Sequence, residues 1–128
     1  MPTPVDPDAP GWRLVYDQPA LSLNAERKAH WATRHRHTAE VRQAFAILAR
    51  QAKIGRHDRI AVTVHHEVRR AGPLPDIGNC YPTAKAAVDG LVDAGVITDD
   101  IGEHLVHLAF TPPTRSTRDA VLVDVVPA

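Results

Sequence analysis

The side chains best equipped for chemistry fall in one short run, DIGNCYPTAKAAVDGLVDAGVITDD, residues 76–100. Asp76 precedes Asn79, Lys85 stands four positions before Asp89, and Asp99-Asp100 closes the segment. Carboxylates that are separated in sequence but delivered to the neighbourhood of one helix can share a Mg²⁺ ion, which seeks six hard oxygens and accepts a few carboxylates plus water. Such an ion polarises a phosphodiester and lowers the pKa of an attacking water. A lysine beside it offsets the charge that develops on the phosphate in the transition state. Taken one residue at a time, a plainer reading is favoured: Asp89 pairs with Lys85 one turn earlier on a solvated helix face, and Asp99-Asp100 is a polar turn.

Hydrophobic periodicity supplies the elements that must position these residues. Residues 1–11 carry several prolines and no periodic pattern, and read as a flexible tail. Trp12, Leu14 and Tyr16 alternate with polar or smaller neighbours, a strand that ends before Pro19. Val41, Phe45 and Leu48, joined by Ala44 and Ala52, recur at helical spacing and predict a helix capped by Thr38 and ending near Gly55. Ile60, Val62 and Val64 begin a second strand that continues to Val68. After a Gly- and Pro-rich loop over 71–79, Pro82 suits a first helical turn and Gly95 a left-handed stop. Ala84, Ala87, Val88 and Leu91 form the apolar stripe between them. Val106, Leu108 and Phe110 predict a strand that Asp99-Asp100 lead into, and Val121, Val123 and Val125 predict another, with a loop over 112–118. The expected fold is α/β: one domain over residues 12–128, with a small mixed sheet of about four strands and two helices packed on it.

Composition narrows the function classes. A chain of 128 residues and 14.0 kDa buries one modest core and excludes a multi-domain enzyme. No apolar run approaches the roughly 20 residues of a membrane span. One cysteine, Cys80, rules out an internal disulfide framework and a Cys-based zinc module, which fits a reducing cytosol. The net charge of zero conceals an asymmetry. Residues 1–70 hold 12 Lys and Arg against 7 Asp and Glu, a balance of +5, and residues 71–128 hold 3 against 8, a balance of −5. Lys and Arg that track phosphates, with carboxylates that hold a divalent ion, suit a metal-dependent enzyme acting on nucleic acid. The bland alternative is that the two halves interleave in space and the asymmetry dissolves. His65-His66 and His104-x-x-His107 do not converge on one ion from a strand and read as surface histidines. Cys80 reads as packing, and no glycine pattern forms a nucleotide phosphate loop.

The run over 76–100 resembles the core motif of the RusA family of Holliday junction resolvases. In that family an Asp-x-Asp-Asn segment precedes a helix bearing a lysine and, four residues on, an aspartate, with an Asp-Asp pair about ten residues later. Asp76 and Asn79 match the ends of the first segment, Lys85 the lysine, Asp89 the helix aspartate and Asp100 the last metal-binding acid. The stretch LSLNAERKAHWATRHRHT, residues 21–38, is similar to the family's early Leu-Asn…His-Trp segment before its first helix, through Leu23-Asn24 and His30-Trp31.

The resemblance implies a RusA-like homodimer inside a bacterial host cell that binds four-way DNA junctions and makes paired nicks with Mg²⁺ or Mn²⁺, in phage recombination and repair. Asp76 and Asp100 would hold the ion, Lys85 would act on the phosphate, and Asp99, Asp89 or Glu67 would complete the ligands. Arg27, Lys28, Arg34 and Arg36, with Asn79, would contact DNA. Trp31 would stack on a base at the junction, although as a lone residue it reads as a core anchor. Gly78 stands where the family carries its second aspartate, and the step from Asn79 to Lys85 is longer than in the best-known members. The second function class is therefore a descendant that keeps the fold and binds branched DNA, or a host protein, without cutting.

Overall fold

The computed structural model describes residues 11–19, 31–69 and 71–128, with the backbone alone over 31–34. The tail over 1–10 and the segment carrying Leu23-Asn24, Arg27, Lys28 and His30 lie outside the described residues.

Alternation along the second strand decides the architecture. In β2 (Ile60–Val68), the side chains of Ile60, Val62, Val64 and His66 share one face and are buried, and the helices pack on that face. β1 (Trp12–Tyr16) and β2 flank β5 (Ala120–Pro127) and both run antiparallel to it, with Leu14 and Val64 opposite Val123 and Val62 opposite Val125. β3 (Leu105–Phe110) runs parallel to β2 on its other side, Val62 facing Leu108 and Val64 facing Phe110. The order is β1-β5-β2-β3, and β4 (Thr114–Arg115) extends the β3 side by pairing with Glu67 and Val68. The sheet is thus mixed and has five strands. The strand beyond the expected four is only two residues long, inside the expected loop, where no alternation can register.

The first helix, α1 (Trp31–Gln51), starts seven residues before Thr38, which is an interior position and not a cap. Nothing in residues 31–37 breaks a helix, so the helix extends past the apolar stripe that signals it. It closes with two crossed bonds: Ile54 N–H donates to Ala49 C=O and Lys53 N–H to Arg50 C=O, with Lys53 in the left-handed region at φ 56°. The second helix, α2 (Tyr81–Asp93), ends in the same motif on Gly95, at φ 79°, with Pro82 in its first turn. Gly90 marks where the helices cross: a Cβ there would lie 2.5 Å from Arg42 C=O and 2.9 Å from the Ala46 backbone nitrogen.

His65 and His66 are not surface residues. Both are buried, because β2 is covered on both faces at its carboxyl end. His65 Nδ1 lies 2.5 Å from Thr111 Oγ1 and its Nε2 2.8 Å from Thr114 Oγ1, so one ring nitrogen donates and the other accepts. His66 points into the helix-covered core, where neither ring nitrogen has a partner.

Candidate functional site

Asp76 precedes a short 3₁₀ helix (Ile77–Cys80) that runs directly into α2. Its backbone is extended, its side chain is exposed and makes no capping bond, and its carbonyl accepts the Asn79 N–H at 3.0 Å. Cys80 is buried at the junction of the two helices, and burial pushes its thiol up to about 11, which suits packing and not nucleophilic chemistry. Gly78 is exposed, and a Cβ there would meet nothing within 4 Å.

On α2, Lys85 and Asp89 lie one turn apart, and Lys85 Nζ donates to Asp89 Oδ1 at 2.8 Å. The chain then reverses at Gly95, and the buried Val96 and Ile97 pin the segment that follows against the core. This return brings Asp100 beside the helix, where its Oδ2 accepts a second bond from Lys85 Nζ at 2.5 Å. Asp99 Oδ1 accepts the Asp100 N–H at 2.8 Å, which fixes the turn. Asp99-Asp100 does not lead straight into β3 as expected, since a turn over 101–104 intervenes before Leu105. The bond from Lys85 holds the Asp100 carboxyl below the usual carboxylate range, and the bonds to Asp100 and then Asp89 raise the Lys85 ammonium. Both groups stay charged across the neutral range.

The structure therefore brings Lys85, Asp89 and Asp100 into contact, with Asp99 bonded to the Asp100 backbone. Asp76 is not joined to them by a hydrogen bond or ion pair. Among the described residues no group of three or more His, Cys, Asp or Glu is placed to hold a metal ion. The Asp89 and Asp100 carboxylates are hard oxygen donors of the kind Mg²⁺ takes, and each is bonded here to Lys85 Nζ. Glu67 is engaged elsewhere, accepting bonds from Ser116 Oγ at 2.8 Å and Arg118 Nε at 3.2 Å.

Of the basic residues singled out for DNA, Arg36 is exposed on α1. Trp31 and Arg34 lie in the first turn of α1 with side chains outside the described residues, as Arg27 and Lys28 are altogether. Asn79 is half-buried in the 3₁₀ turn. Part of the charge asymmetry dissolves on folding. Arg42 makes a two-pronged pair with Asp93, at 2.6 and 2.7 Å, and Arg13 another with Asp124, at 2.7 and 2.9 Å. Sequence reasoning missed Arg42 and Gly90, which together set the position of α2. Partners 51 residues apart leave no periodic signal, but a glycine amid helix formers was a readable one.

No family model matches the chain, and no curated protein matches it.

Proposed function

We propose that the protein is a RusA-like endonuclease that cuts four-way DNA junctions with Mg²⁺ or Mn²⁺ at the surface where Lys85, Asp89 and Asp100 converge. The supporting observation is that convergence itself: Asp100, 15 residues beyond Lys85, returns to the same ammonium that Asp89 reaches from one helical turn away.

Asp100 and Asp89, with Asp99 and with Asp76 from the turn before α2, would hold the divalent ion, which when bound would polarise the phosphodiester and activate the attacking water. Lys85 donates to a non-bridging phosphate oxygen as negative charge grows there, a contribution strongest in a site that excludes water. Asp89 and Asp100 orient that ammonium before DNA arrives. Arg36, with Arg34, Arg27 and Lys28, supplies sequence-independent phosphate contacts, and Asn79 adds a polar contact near the cut. A two-fold homodimer would present one such site to each of the two equivalent strands of a junction. Among the described residues no helix is long and apolar enough to cross a membrane. The reading places the protein in the cytoplasm of a bacterial host.

The second reading, a junction-binding or host-protein-binding relative that does not cut, draws on Gly78 and on the position of Asp76 outside the cluster. Space around Gly78 makes the decisive variant available. Gly78→Asp is expected to raise metal-dependent nicking of a synthetic junction roughly 10- to 100-fold, the scale of correcting a misplaced reactant. Tight junction binding with no nicking in either protein would overturn the nuclease reading in favour of the second.

A further inference from the structure

Three arginines of the described residues, Arg13, Arg42 and Arg118, are committed to carboxylates. Four other cations are not. Arg50, Lys53, Arg56 and Arg59 recur at every third position across the end of α1 and the loop that leads to β2, and all four are exposed. Asp58 is the one acid between residues 50 and 59, and among the described residues no carboxylate forms an ion pair with any of the four. Arg50 Nη2 donates to Asp93 C=O at 3.0 Å and Arg56 Nη2 to Thr98 Oγ1 at 2.7 Å, which fastens these guanidiniums to either side of the reversal at Gly95. Lys53 lies between them, its N–H bonded to Arg50 C=O, and the His57 N–H donates to Val96 C=O at 2.7 Å. The basic loop therefore lies along residues 93–98, whose continuation at Asp100 reaches Lys85. Lys53 sits in the left-handed region at φ 56°, where glycine fits with less strain and where Gly95 stands at the end of α2. A side chain kept at such a position points to a use for that side chain. The helix dipole also favours a cation at the end of α1, but its effect fades within the last turn and does not reach Arg56 or Arg59.

We propose that Arg50, Lys53, Arg56 and Arg59 form a platform for the phosphate backbone of duplex DNA. No exposed large hydrophobic side chain falls between residues 50 and 59, as the centre of a protein interface or an inserted membrane anchor would require. The stretch has no Phe, Tyr or Trp on which the bases of a single strand could stack. Cations without counter-charges, three of them guanidiniums with donors to spare, match the repeated phosphates of a duplex. The platform rests on the junction-nuclease reading for its substrate, an arm of which it grips, yet it concerns binding and not cutting.

The test measures affinity for a fluorescent linear duplex and a four-way junction over a series of salt concentrations without divalent metal, with nicking followed in parallel in Mg²⁺. Wild type is compared with a triple variant, Lys53→Gly with Arg56→Gln and Arg59→Gln. A charge-matched control, Arg69→Gln with Arg115→Gln and Arg118→Gln, removes three cations at the opposite end of β2. The triple variant is expected to bind both DNAs more weakly and to flatten the dependence of log affinity on log salt by roughly 3, and the control to leave that slope unchanged. Lys53→Gly alone should flatten it by about 1 with a melting temperature equal to or above the parent's, which separates lost binding from lost folding. An unchanged slope in the triple variant would overturn the proposal, as would an equal loss in the control or a wild type that does not bind duplex DNA. A slope loss confined to the triple variant, with no nicking by any protein, would sustain the platform and remove the nuclease reading alone.

Discussion

Neither ring nitrogen of His66 has a hydrogen-bond partner, and the ring is 3% exposed at the helix-covered face of the sheet. Burial, with a smaller push from neighbouring His65, lowers its pKa to about 4, against an ordinary value of 6.5. The unfolded chain therefore binds more protons than the native one between those values. Stability from this residue is complete above about pH 6.5 and is lost as pH falls towards 4, by on the order of 3 kcal/mol in all. His66→Leu should remove most of that acid dependence, and denaturant melts of both proteins at pH 7 and pH 4.5 would show it. An equal loss of stability on acidification in both would assign the acid sensitivity elsewhere. Strand alternation was enough to place His66 on the core face with Val62 and Val64, but polarity argued for the surface, and the fold gave precedence to the alternation. The Lys85–Asp89 pair was legible from its spacing. The bond from Lys85 to Asp100 was not, because it depends on how the chain turns at Gly95 and returns.

The cluster's geometry depends on how closely α2 lies on α1. Gly90 makes that approach possible, since any side chain there would press on the α1 backbone at Arg42 and Ala46. Backbone cannot yield as a flexible side chain can, so Gly90→Ala should cost about 1–3 kcal/mol, the usual cost of overpacking. It should lower the melting temperature by several degrees and reduce nicking along with it, because Asp89 and Asp93 flank the crossing on the same helix. An unchanged melting temperature would show that the two helices are free to separate. The two helix ends show what sequence can and cannot reveal about an element. Gly95 announced the left-handed stop of α2, because glycine adopts positive φ without strain. α1 ends in the same motif on Lys53, a residue type that gives no such signal, so its last turn was not legible. β4 escaped notice because two residues have no period.

At the scale of the molecule, the α/β order and a mixed sheet were legible in the alternation of strand and helix patterns, whereas the five-strand count was not. The charge asymmetry of the two halves held out two prospects, and the fold realises part of each. Arg13 and Arg42 are spent on Asp124 and Asp93, and Arg118 on Glu67, while Arg36 is exposed on α1. Lys85, Asp89, Asp99 and Asp100 form a surface with two more negative than positive charges, to which Asp76 is not bonded. On the proposed nuclease reading such a surface takes a cation before it accepts DNA, so metal dependence is the first requirement of that reading. The most direct measurement is cleavage of a synthetic four-way junction by the purified protein, with no metal, Mg²⁺ or Mn²⁺, beside Asp100→Asn. Paired, symmetry-related nicks that require the metal and vanish in Asp100→Asn are the expected result. A retarded junction band without nicks in any metal, or nicks that persist in Asp100→Asn, would contradict it.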